Sequence, residues 1–387
     1  MNAVHAQPGT GLAEMRWQFT ATEAGAAASP DHLDGASAWL AATVPGTVAG
    51  TLLDAGRLDI DSPAGLTDRD YWYRTDIAGR GPHLLRLHGL ATLAEVWLDD
   101  ALLLRSENMF VRHDVRLELT GHHRLWLCFR ALDRYTPPPA RRARWRPAMI
   151  PRRSLRSLRT SLLGHMPGWC PEIPIVGPWR PIELMDLRQC HLDGRRLHAV
   201  LRDDGGGTLE IDVSLHGPTP QRVSVECAGA ECELLCDGSR WRGQLFLDRV
   251  DPWWPHTHGD PRLYPVTLRI RANAAQSIPL GKVGFRRIRI DTGADGNDFA
   301  IHINDVPVFC RGANWLCADI AHPSGSRETC QPWIDSMREA HLNMVRVGGT
   351  TSYEATSFHE LCDEAGLLVW QDFMFANFDY PTDDPAF

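Results

Sequence analysis

Arg346 stands near the end of the apolar run MVRV at 344–347. A guanidinium at the end of an otherwise apolar buried strand is too costly to desolvate alone, so the position calls for an anionic partner. Its natural chemistry is to hold a carboxylate ionised and oriented through two parallel hydrogen bonds. The other patterns that could carry chemistry read more simply. ARRARWRPAMIPRRSLRSLR (140–159), with Trp145 among its arginines, is read first as a solvated loop, with an RNA- or phosphate-binding arm as the weaker reading. His359-Glu360 lacks the second histidine at i+4, where Asp363 stands, so no zinc-protease helix is expected. His256-Thr257-His258 beside Trp253 and Trp254 reads as a turn between strands rather than a zinc site. Cys227, Cys232 and Cys236 lack paired C-x-x-C spacing, and Gly205-Gly206-Gly207 follows two aspartates in a hairpin turn and opens no helix. No metal and no cofactor is expected.

Two regimes of elements must position these residues. Up to about residue 310 the chain shows short alternating or apolar runs broken by Gly, Pro and Asp, as antiparallel sheets require. Strands are predicted at 83–90, 94–104, 123–132, 208–217, 222–229 and 264–272, with a hairpin turning at Asp99-Asp100. Their spacing predicts two β-sandwiches. Beyond 311 the period changes. A helix is predicted over 330–342, with Pro332 in its first turn and Trp333, Ile334, Met337 and Leu342 on one face. NMVRVGG follows as a buried strand, then a helix over 352–366 ending at Gly366, then the strand LLVWQDFMF. Strand, helix, strand, helix, strand is the pattern of a parallel α/β unit, yet a closed barrel of that kind takes ~250 residues.

The chain has 387 residues, a prior of two to three domains, and a formal charge of -8 that argues against a mainly electrostatic nucleic-acid binder. Lys282 is its only lysine. No run approaches the ~20 apolar residues of a membrane helix, and the first residues lack the basic head and apolar core of a secretory signal. The expected setting is the cytoplasm, with the ten cysteines as reduced thiols.

The ordered blocks ATVPGTVAGTLLDAGRLD (42–59), DYWYRTDI (70–77), LHGLATLAEVWLDDALLLRSENMF (87–110), GPWRPIEL (177–184), PWWPHTHGDPRLYPVTL (252–268), GKVGFRRIRI (281–290), VPVFCRGANW (306–315), HLNMVRVGG (341–349) and CDEAGLLVWQDFMFA (362–376) are similar to family 2 glycoside hydrolases of the β-mannosidase branch. The resemblance implies a multidomain chain: a jelly-roll-like sugar-binding β-sandwich over 1–187, an immunoglobulin-like β-sandwich over 188–292, and over 293–387 the first strands and helices of an incomplete (β/α)8 TIM barrel. It also implies exo-hydrolysis of terminal β-linked sugars by a retaining mechanism that uses two carboxyl groups about 5 to 5.5 Å apart. Both are glutamates in such enzymes, the first in an Asn-Glu dipeptide, and this chain has no Glu after Glu364. Neither catalytic glutamate is therefore carried over, and the chain alone is expected to be inactive.

The resemblance further implies a supporting set of substrate-binding residues: Arg346 orienting the nucleophile, Asn314, Trp315 and Asp372 where the first and third barrel strands open, and Trp169 on the loop from the first sandwich. An aromatic face suits the C–H side of a sugar and a carboxylate suits its hydroxyls. Trp169 as a core aromatic and Asp372 as a turn cap are the competing readings. Two positions depart from the pattern: Gly348 stands where such enzymes carry a pocket Trp, and Gly168-Trp169-Cys170-Pro171 replaces Asp-Trp-Gly-Pro. Both departures put strict mannose specificity in question, so another β-glycoside (glucosaminide, galactoside or glucuronide) stays open, as does a non-catalytic carbohydrate-binding or interaction module. The arginines of 140–159 suit an anionic sugar as well as solvent. The expected partner is an oligosaccharide or glycoside, not nucleic acid or a membrane, and the sequence sets no oligomeric state.

Overall fold

The computed structural model describes residues 15–33, 38–63, 65–138, 141–272, 275–384 and 387. It is mostly β and built in several units, with few helices, and among the described residues no helix is long and apolar enough to cross a membrane.

The first unit is a seven-stranded antiparallel sheet of β1 (Trp17–Glu23), β2 (Leu40–Ala42), β3 (Arg69–Leu87), β4 (Ala94–Leu98), β5 (Ala101–Ser106), β6 (His113–Phe129) and β7 (Ile182–Asp186). Its order is β2-β1-β3-β6-β4-β5, with β7 on β3. β3 and β6 pair from Tyr71↔Phe129 to Leu87↔His113, so two predicted segments, 83–90 and 123–132, are the ends of much longer strands. Alternation explains the burial: Tyr71, Tyr73, Ile77, Leu85 and Leu87 face one core together with α1 (Val48–Asp54), while Trp72 packs with Trp97 and Trp126 on the other face. The β4-β5 hairpin turns at Asp99-Asp100 as predicted, with Asp99 at φ 52°.

The second unit is a sandwich of two four-stranded sheets. β8 (His191–Leu201), β9 (Gly207–His216), β12 (Leu235–Asp237) and β13 (Arg240–Leu247) form one; β10 (Arg222–Cys227), β11 (Ala230–Glu233), β14 (Tyr264–Arg271) and β15 (Ala275–Val283) form the other. Val213, Val225, Leu245 and Leu268 meet in the core between them, as the inward-facing residues of period-2 strands do. A short antiparallel meander follows: β16 (Ile288–Asp291), β17 (Ala300–Ile303) and β18 (Val306–Val308). The expected boundary at 292 falls within it.

The last unit is parallel: β19 (Gly312–Trp315), β20 (Met344–Val347) and β21 (Leu368–Gln371), with α3 (Arg327–Glu339) and α4 (Thr356–Ala365) as crossovers. α2 is a single turn (Leu132–Tyr135) after β6. α3 departs from the predicted helix. It starts three residues earlier, where Ser326 Oγ accepts from Thr329 N at 3.2 Å, so Pro332 lies in the second turn and not the first. Trp333 is 53% exposed and not on the buried face, which is Cys330 and Ile334, with Met337 packed against it. α4 ends as predicted at Gly366, in the left-handed region at φ 71°.

Candidate functional site

Parallel pairing places Asn314, Arg346 and Trp370 side by side across the three strands, and all three are exposed. The alternate row, with Val345, Val347 and Val369, is turned the other way against Phe358 and Leu361 of α4 and Ile334 of α3. A sheet face one residue out of phase with its helix-packed face is therefore open at the C-terminal ends of β19 to β21, where α/β proteins place ligands.

Arg346 has the anionic partner its position requires. Its Nη2 donates to Asp372 Oδ2 at 2.6 Å and its Nε faces Oδ1 at 3.3 Å. The same carboxylate accepts from Gly349 N at 3.2 Å and from Trp370 Nε1 at 3.1 Å. A carboxylate offers about four lone-pair sites, and four donors fill them. Asp372 is thus a fixed holder of Arg346 rather than a free base, and among the described residues the remaining guanidinium donors meet no other acceptor on the open face.

Of the other expected residues, Asn314 shares that face but Trp315 does not. Trp315 is 4% exposed, packs tilted against Phe358 with ring centres 5.0 Å apart, and donates its indole N–H to Glu354 Oε1 at 2.7 Å. One residue of strand phase separates the two side chains. Glu354 is buried and its carboxyl is pushed up by burial, against the Trp315 hydrogen bond and the nearby Arg180 charge. Trp169 is 69% exposed at the tip of its loop, so the core-aromatic reading fails. No hydrogen bond joins its ring to the Arg346 row among the described residues. Gly348 is compatible with a side chain, since a Cβ there would meet nothing within 4 Å.

The loop between β6 and β7 brings the first unit over this site. Leu162 N donates to Thr350 O at 3.1 Å and Ser161 Oγ to Thr351 O at 2.7 Å, and Arg180 donates to Tyr353 O. Arg159 donates to Met374 O at 2.8 Å with its guanidinium 3.9 Å from the Phe375 ring centre. Segments following both β20 and β21 are therefore held by one loop. The second sandwich supports the opposite end: His256 N donates to Gly366 O at 3.0 Å, and His256 Nε2 lies 2.7 Å from Leu342 O. These contacts confirm a structural role for His256. His359 sits on α4 with its pKa lowered by burial, and no metal-type cluster includes it among the described residues. Asp114, Asp193 and His216 do converge, but Arg86 and Arg112 already occupy the two carboxylates.

Sequence reasoning missed Trp370 and Glu354. Trp370 was findable, because pairing LVWQ in parallel with MVRV sets it beside Arg346.

Residues 17–180 match the family model of the glycosyl hydrolase 2 galactose-binding domain-like fold. The β-mannosidase B of Aspergillus flavus is 29% identical over 365 residues, covering 82% of this chain and 40% of the relative. The chain is similar to the β-mannosidases of glycoside hydrolase family 2. Among solved structures, the β-D-mannosidase of Dictyoglomus thermophilum superposes with a TM-score of 0.79 at 22% identity, over 96% of this chain and 48% of that one. A family 2 β-galacturonidase from Eisenbergiella tayi gives 0.61 at 21% identity, over 93% of this chain and 56% of that one. The chain spans about 40% of the length of the curated relatives it matches.

Proposed function

We propose that this chain is part of a retaining exo-β-glycosidase of the β-mannosidase type. In this reading 1–187 is the sugar-binding sandwich, 188–292 the immunoglobulin-like sandwich, and 293–387 the opening of a (β/α)8 barrel whose lumen the Asn314, Arg346 and Trp370 row would face. The observation that carries it is the Arg346 guanidinium, fixed by Asp372 at the C-terminal ends of parallel strands with donors left over. Such a cation would orient a nucleophilic carboxylate, Asn314 would take a sugar hydroxyl, and Trp370 or Trp169 would offer a stacking face. No carboxylate of the described site is free to act as nucleophile or acid, so both would come from sequence outside this chain. The partner would be a terminal β-linked glycoside.

The substrate reading has a second branch. Space is open at Gly348, where a Cβ would meet nothing within 4 Å, and a family 2 β-galacturonidase shares the fold, which admits a uronide as well as a mannoside. The intact mass of the protein from its own source is the first test: a mass near twice 43.3 kDa supports the reading. Nitrophenyl β-mannoside and β-galacturonide should both be inert to the 387-residue chain alone, and hydrolysis of either by it overturns the assignment of the catalytic pair.

A further inference from the structure

The arginine-rich segment, expected as a solvated loop, is engaged at both its ends with the residues after β21. Asp379 is the centre. Its side chain is 1% exposed and accepts from Arg144 Nη2 at 2.7 Å, Arg144 Nε at 3.0 Å, Arg144 N at 2.9 Å and Arg141 Nη1 at 3.4 Å. Arg156 Nε and Nη2 donate to Asp379 O at 3.0 and 2.8 Å, and Nη1 ties back to Arg141 O at 2.6 Å. Trp145 Nε1 donates to Asn377 O at 2.8 Å, and Arg141 Nη2 donates to Tyr380 O at 3.3 Å. A loop of the first unit thus takes the carbonyls of Met374, Asn377, Asp379 and Tyr380 and the one buried carboxylate of 374–380. That stretch begins two residues beyond Asp372.

We propose that residues 141–159 are a strap that sets the position of the segment after β21, and through it the Asp372–Arg346 pair and the exposed Phe373 and Phe375, with Asp379 and Arg144 as its positioning residues. Four cations converge on a segment whose carbonyls have no ladder to satisfy them, so without the strap its backbone polar groups would turn to water. The strap would make the first sandwich part of the site's geometry rather than an appendage. Only the sugar arm of the test below rests on the glycosidase reading.

Asp379→Asn keeps the shape and removes the ion pairs; Arg144→Ala removes the fork; Arg144→Lys keeps the cation alone. Hydrogen exchange on the chain should show 372–380 exchanging about tenfold faster or more in Asp379→Asn and Arg144→Ala, less in Arg144→Lys, with α3 within about twofold of the parent. The Trp370 indole N–H, bound to Asp372 and assigned with Trp370→Phe, should shift and broaden in a nitrogen-15 spectrum of the first two variants. Should Asp379→Asn also release α3, Arg144→Ala decides. Exchange of 372–380 unchanged in Arg144→Ala, or an unmoved Trp370 indole, overturns the strap. Methyl β-D-mannopyranoside titrated into parent and variants reads the consequence for binding: affinity should fall about threefold or more when the segment is released. Unchanged affinity with a released segment overturns the positioning role. A parent that does not bind counts against the glycosidase reading, and the exchange and indole results still decide the strap.

Discussion

Arg346 and Glu354 are two titratable groups at one end of a small sheet, and they are held in opposite ways. Arg346 is half-exposed and its charge is matched by Asp372, whereas Glu354 is buried and accepts from the Trp315 indole N–H. Asp372→Asn should cost roughly 1 kcal/mol in urea unfolding, a surface-pair magnitude, because solvent screens the pair. Glu354 should weigh more. Glu354→Ala leaves the Trp315 N–H without its acceptor inside the core, an expected loss of about 2 to 3 kcal/mol, while Glu354→Gln keeps an acceptor and should cost little or stabilise. The pH dependence follows from the raised carboxyl. The native state holds the Glu354 proton more tightly than the unfolded chain does, so this group's contribution is complete below the ordinary carboxylate value and declines as pH rises through its raised native value. Unfolding free energy measured from pH 4 upward should fall less steeply in Glu354→Gln than in the parent; identical slopes would remove Glu354 from the account. The need of Arg346 for an anion was legible from residue type alone. The fate of Trp315 was not, because a strand of four residues, GANW, carries too little alternation to fix which neighbour faces the helices.

At the scale of elements, local chemistry decides the ends and tertiary contact decides the rest. α4 stops at Gly366 because φ 71° suits glycine, and a Cβ there would also meet His256 N at 2.6 Å. Gly366→Ala should therefore cost about 1 to 3 kcal/mol, from backbone strain plus displacement of the His256 loop, checked by thermal and urea unfolding. Ser326→Ala should cost about 1 kcal/mol by removing the cap of α3. The sequence made Gly366 legible and hid Ser326, since a proline at 332 suggests a first turn and here sits in the second. The long strands were half legible for a similar reason. β3 and β6 carry mid-strand glycines, Gly79, Gly81 and Gly121, that read as turn signals, but seventeen paired residues between the strands override them. The β4-β5 hairpin and the turn before β9, which obey short-range rules, were placed correctly, whereas β8 itself was not among the predicted strands.

At the scale of the whole molecule, the units are joined by polar contacts that no short-range pattern encodes. Arg86 of β3 is fully buried and donates to Asp114 of β6 by Nε and Nη2 at 2.9 Å each, and also to Asp193 of β8, so one guanidinium joins the first sheet to the second sandwich. Removing one partner of a buried pair costs about 3 kcal/mol or more, because the other charges stay behind. Arg86→Ala should accordingly separate the unfolding of the two sandwiches into distinct calorimetric transitions, where the parent shows more overlap. The opposite problem lies on the meander and the parallel sheet. Ile288, Ile290, Phe299, Phe309, Trp370 and Phe373 are all exposed large apolar side chains, and β19 and β21 each have only β20 as a paired neighbour among the described residues. Unpaired strand edges beside apolar side chains favour association. The 387-residue chain should self-associate in a concentration-dependent way, read by light scattering on a sizing column. Phe309→Ser should reduce that association with little cost in stability, since Phe309 is 81% exposed and contributes little burial to lose. A chain that stays monomeric at high concentration would mean that its exposed apolar groups and strand edges are too dispersed to form one contact surface.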